Sequence, residues 1–156
     1  QAAGAQVPGV EHTRVGVCGT RAGGRTALRG LRAHGDFYQA GGSASGCHDN
    51  RRDKIGWNEQ WMGWPVGPHY DEQSNVTQAA QLRGKLLLMV GEMDRNVDPA
   101  STMQVVNALI KAGKDFELLA MPGQGHGVGG TPYGQRRLQN FFVKTFLESP
   151  TPAPSL

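Results

Sequence analysis

Val15-Gly-Val-Cys-Gly-Thr-Arg-Ala-Gly-Gly24 is the stretch whose reading decides the fold. An apolar, strand-like run ends there in a glycine-rich corner, and residues 25–34 continue as a helix. Small residues at 19, 22, 23 and 24 let the backbone turn sharply and let a helix pack close under the strand. The spacing is that of a nucleophile elbow, G-x-S-x-G, in which a strained strand-to-helix turn lifts a hydroxyl above a parallel sheet. Gly19-Thr-Arg-Ala-Gly23 keeps this frame, with Arg21 in the serine slot.

Outward from the corner, strand and helix signals alternate. Strands are expected at 14–18, 37–44, 85–90 and 116–121, and helices at 25–34, 55–64, 76–82, 99–112 and 133–147. Lys-Leu-Leu-Leu-Met-Val at 85–90 is the clearest strand, apolar on both faces as in a covered parallel sheet. Pro99 suits a first helical turn, and Met103, Val106, Leu109 and Ile110 make the apolar stripe that follows. Leu138, Phe141, Phe142, Thr145 and Phe146 are the expected inward face of the last helix. Pro65, Gly67 and Pro68 mark 65–75 as a loop. Trp57, Trp61 and Trp64 are spaced to lie near one helical face. Alternating strands and helices predict a parallel α/β sheet with right-handed crossovers. In such sheets chemistry collects at the carboxyl ends of the strands. Arg21, the group Cys47-His48-Asp49, Asp94 and His126 all follow such ends.

The 156 residues suffice for one domain with a core, expected over 1–148, with a flexible tail at 149–156. No apolar run nears the roughly 18 residues that a membrane span needs. Residues 1–9 lack the basic start and apolar centre of a signal peptide, and the start at Gln1 suits a mature or cut product. The net charge of +3 is spread over scattered arginines without a clustered face, so nucleic acid is not an expected partner. Two cysteines, Cys18 and Cys47, are too few for a disulfide framework. Each reads as a small buried hydrophobe near a strand end, and neither indicates a compartment.

Serine hydrolysis needs a hydroxyl nucleophile, an imidazole base and a carboxylate that orients the base. On sheets of this kind the three follow in the chain order nucleophile, acid, histidine. Position 21, Asp94 and His126 keep that order. His126 lies between Gly125 and Gly127, a backbone free to place the ring.

With these residues in view, 14–147 resembles the carboxyl-terminal half of the hydrolase domain of the prolyl oligopeptidase family, in its dipeptidyl peptidase IV-like branch. The segments that carry the resemblance are Gly19-Thr-Arg-Ala-Gly-Gly24, Trp57-Asn-Glu-Gln-Trp-Met-Gly-Trp-Pro65, Gly84-Lys-Leu-Leu-Leu88, Gly91-Glu-Met-Asp-Arg-Asn-Val97 and Pro122-Gly-Gln-Gly-His-Gly127. The resemblance implies a partial α/β-hydrolase fold of about four mainly parallel strands, and cleavage of short peptides or small esters without a cofactor. It implies Asp94 as triad acid, His126 as base and the N–H of Ala22 as an oxyanion donor. It also implies Asn96 as a ligand for a substrate carbonyl and Trp57 as a wall of the side-chain pocket; core packing is the alternative for the tryptophans.

Two departures matter. A guanidinium stays protonated and offers no lone pair, so Arg21 cannot form an acyl-enzyme. Loss of a nucleophile costs about 10⁶-fold in rate. Thr20, Cys18, Ser43 and Ser45 are poor substitutes by their placement, and Arg21 could instead pair with Asp94. The resemblance also implies an amino-terminal propeller and earlier strands that the 156 residues do not contain, so strand 14–18 is expected as an open edge and a homo-oligomer through it. The readings are a weak or inactive serine hydrolase, a non-catalytic binding remnant, and a metal enzyme using His48, Asp94 and His126. A hydrogen-bonded loop is the simpler account of His48-Asp49-Asn50.

Overall fold

A computed structural model of the chain describes residues 13–52 and 54–147. Four strands, β1 (Val15–Thr20), β2 (Tyr38–Ala44), β3 (Lys85–Gly91) and β4 (Glu117–Met121), form one parallel sheet in the order β1-β2-β3-β4. The register sets Thr20 beside Ala44, Ala44 beside Met89 and Gly91 beside Met121. The carboxyl ends of all four strands therefore meet along one rim.

β3 is central and buried from Leu86 to Gly91. Leu86 and Leu88 face one layer, with Leu28 and Leu31 of helix α1 (Ala22–Ala33) and Val105 and Leu109 of helix α4 (Pro99–Lys111). Leu87 and Met89 face the other, with Val128 and with Phe141 of helix α5 (Pro132–Leu147). This two-sided burial explains the unbroken apolar run. The crossover from β2 to β3 carries two short helices, α2 (Ile55–Met62) and α3 (Pro68–Gln73). The expected tail at 149–156 lies outside the described residues.

Several expectations require correction. The buried face of α4 is Ser101, Thr102, Val105 and Leu109, while Met103 and Ile110 are exposed. Hydrogen bonds cause the difference: Ser101 Oγ donates to Gly46 O at 3.1 Å and accepts from the His48 N–H at 3.0 Å. Polar residues held this way take a buried face that an apolar count assigns elsewhere. Residues 68–73 are helical because Pro68 opens the turn and Tyr70, fully buried, donates to Gly63 O at 2.9 Å. At 76–82 only one 3₁₀ turn forms, Ala79–Gln81. Ser74 Oγ there accepts the N–H groups of Val76 and Thr77, a local turn that competes with helix. Cys18 is exposed rather than buried: it lies on β1, an edge of the sheet among the described residues. Trp64 lies beyond α2, which stops where Gly63 takes φ 83°. All three tryptophans are exposed, so none is core.

Candidate active site

Arg21 is the one residue between β1 and α1, and its backbone sits at φ 61°, ψ −125°. An L-residue other than Gly, Asn or Asp rarely adopts φ of this sign, and surrounding structure has to hold it there. The Arg21 N–H donates to Ala44 O at 2.9 Å, and the Arg21 carbonyl accepts the N–H of Arg25 at 3.1 Å. The corner is thus pinned between β2 and the first turn of α1. Gly19 supplies the room, because a Cβ there would run into the carbonyl of Gly23. The N–H of Ala22 belongs to the first turn of α1, whose amides have no partner within the helix.

The exit of β3 supplies the acid. Asp94 Oδ1 accepts the N–H groups of Asn96 at 2.8 Å and Val97 at 3.0 Å, which locks the carboxylate in its own loop. The loop after β4 supplies the base: His126 Nδ1 donates to Asp94 Oδ2 at 2.8 Å. Burial alone would raise the Asp94 carboxyl. The hydrogen bonds from His126 and the two amides outweigh it and hold Asp94 below its ordinary range. His126 Nε2, the atom that would take a proton from a nucleophile, is shielded from solvent and has no hydrogen-bond partner among the described residues. Ser45 Oγ donates to the His126 carbonyl at 3.1 Å, one residue along from the Ala44 carbonyl that holds Arg21. Two successive residues of β2's exit therefore tie the elbow and the histidine loop to one corner. Ser45 commits its proton in that bond, and Ser43 is buried at the strand's end.

A cavity of about 1040 Å³ opens beside the elbow. Arg21, Ala22, Trp57 and Asn96 all line it. Asp94 and His126 do not contribute to its wall. The sequence did not mark Arg25, Lys54, Asn58 or Met62 as part of this cavity; the topology brings them in from α1, α2 and the segment before α2. Thr20, set aside as a substitute nucleophile, also lines it. A second hollow of about 440 Å³ lies at the opposite end of the sheet, near Gly35 and Lys85, away from these groups.

Two expectations fail on geometry. Among the described residues Arg21 forms no ion pair with Asp94, whose oxygens are taken by His126 and the two amides. His48, Asp94 and His126 are not assembled as a ligand set, and no group of three or more His, Cys, Asp or Glu among the described residues is placed to hold a metal. His48 is instead fully buried, with its Nδ1 against Asn75 Nδ2 at 3.2 Å. Burial, with the charge of Arg25, lowers its pKa to about 3, so the ring stays neutral. Asp49 is held by Arg51 and Ser74, and Asn50 O accepts from Asn58 Nδ2 at 3.0 Å. No helix among the described residues is long and apolar enough to cross a membrane.

Compared with known proteins, the chain matches the prolyl oligopeptidase family over residues 2–149. It is similar to the crystal structure of Porphyromonas gingivalis dipeptidyl peptidase 4, at 29% identity and a TM-score of 0.82, over 90% of this chain and 21% of that one. It is similar to a putative dipeptidyl aminopeptidase IV from Bacteroides ovatus at 23% identity and a TM-score of 0.83, over 91% and 21%. The Pyrococcus horikoshii acylaminoacyl peptidase shares 19% identity and a TM-score of 0.78, over 95% and 26%. The last two likenesses concern the fold alone. The chain spans about a fifth to a quarter of the length of these structures.

Proposed function

The chain belongs to the prolyl oligopeptidase family and carries part of an α/β-hydrolase fold, and from that premise we propose a serine-peptidase site that keeps its acid–base pair but lacks its attacking atom. Its turnover of short peptides and small esters is then weak or absent. One observation carries this reading. The residue at the strained corner, Arg21 at φ 61°, bears a guanidinium, while His126 is oriented by Asp94 with Nε2 unpartnered. A protonated guanidinium has no lone pair to give to a carbonyl carbon.

The remaining groups keep roles that do not need a nucleophile. Asp94 fixes the tautomer and tilt of His126, the Ala22 N–H meets a substrate oxygen, Asn96 takes a substrate carbonyl, and Trp57 walls the side-chain pocket. The cavity that joins Arg21, Ala22, Trp57 and Asn96 supports the second reading, a domain that binds without cutting. We place a homo-oligomeric contact on β1, an edge strand of the four-stranded sheet.

Hydrolysis of a p-nitrophenyl ester separates the readings. The native chain is expected to stay within background. Arg21→Ser is expected to raise kcat by at least about 10³-fold, a conservative share of what a nucleophile contributes. An Arg21→Ser protein that folds and stays inert would point to the binding domain. A native chain as fast as its own serine variant would remove the premise about Arg21.

A further inference from the structure

We propose that the cavity at the elbow is an anion site, which takes a carboxylate carried on an apolar or aromatic body. The free carboxyl end of a short peptide and a small aromatic acid share this chemistry. The inference rests on the reading of Arg21 as a residue that binds rather than attacks.

Charge makes the case. Arg21, Arg25 and Lys54 line the cavity, and among the described residues no Asp or Glu does. The nearby carboxylates are already engaged: Asp49 with Arg51 at 2.6 Å, Asp94 with His126 at 2.8 Å, and Asp98, which accepts the Ala100 N–H at 2.9 Å as the cap of α4. Arg25 spends one bond on Gln73 O at 3.3 Å and keeps a buried Nε with no hydrogen-bond partner. Lys54 Nζ donates to the neutral Asn96 Oδ1 at 2.9 Å, which leaves it two donors in hand; Asp94 and Asp98 share an adjoining hollow with it but form no ion pair with it among the described residues. Arg21 forms no ion pair among the described residues. The amino end of α1 adds a positive dipole end, since Ala22 and Gly23 are in the same wall. Three cations around one cavity, two of them planar forks suited to carboxylate, call for an anion.

The rest of the wall fixes the body of the ligand. Trp57 and Trp61, with ring centroids 5.9 Å apart, stand with Met62 and Val97 along the cavity. A bare inorganic ion would leave this surface wet, whereas an aromatic or apolar tail covers it. The combination therefore selects an amphipathic monoanion over a small hydrated ion.

Titration followed by tryptophan fluorescence tests the site, with Trp57 and Trp61 as reporters. The probes are N-acetyl-Ala-Phe as free acid and as amide, 3-phenylpropionate with its amide, and acetate. Each acid is expected to bind at least about tenfold more tightly than its amide, and acetate more weakly than either acid. Tighter binding of the peptide acid assigns the ligand to peptide ends, and the reverse assigns it to free acids. Arg21→Gln should erase most of the gap between acid and amide. Because position 21 is strained, Lys54→Met serves as an independent variant and should narrow the gap about threefold or more. Equal affinity for acid and amide, or for acetate and the aromatic acids, would overturn the proposal. Hydrolysis by Arg21→Ser without that discrimination sinks this inference alone. Discrimination beside an inert Arg21→Ser sinks only the reading of the elbow.

Discussion

At Arg21 a long, charged side chain stands on a backbone conformation, φ 61°, that such residues seldom adopt. The turn is therefore kept by its surroundings, by Ala44 and by the room at Gly19, and not by the residue in it. A serine put there would inherit the same corner. His48 shows a second effect at this scale. Its ring is neutral in the fold, with its pKa lowered from 6.5 to about 3. Between those pH values the unfolded chain binds the extra proton, so stability rises with pH and is lost as pH falls from 6.5 toward 3. The contribution is at most about 5 kcal/mol. Asp49 and Asp94, both lowered from 3.8, lose their share only at more acid pH. Urea unfolding at several pH values should show a limb between 6 and 4 that flattens in His48→Gln; an unchanged limb would remove His48 as its cause.

Among the elements, the rim depends on how closely β3 meets the loop that holds His126. Gly91 closes β3, and a Cβ there would run into the carbonyls of Gln124 and Gly125. Gly91→Ala is therefore expected to push that loop off β3 and cost about 1–3 kcal/mol, measured as a lower urea midpoint with the same slope. A midpoint equal to the native one would show that the loop yields freely. The sequence carried much of this level. Lys85–Gly91 was legible because burial on both faces leaves an unbroken apolar run, and the pairing of Asp94 with His126 was legible from their order and loop placement. The face of α4 was not legible, since Ser101 is buried by bonds to Gly46 and His48, more than fifty positions away. The cavity was not legible either. Lys54 meets Asn96 only through the crossover between β2 and β3, and no short spacing records that contact.

At the scale of the molecule, β1 is an edge of the sheet among the described residues, and its residue Cys18 is exposed. An edge with free backbone groups pairs readily with a second copy. Sedimentation is expected to find an assembly heavier than the 16.7 kDa chain, and to find less of it in Cys18→Lys. A single species at the mass of one chain would exclude that contact. The larger claim is that the scaffold of a peptidase persists around a corner that cannot attack. Intact-mass analysis after exposure to a fluorophosphonate tests it most directly, because the reagent bonds only to an activated nucleophile. The native chain should keep its mass, and Arg21→Ser should gain one adduct, mapped to residue 21. An adduct on the native chain, or none on a folded Arg21→Ser, would contradict it.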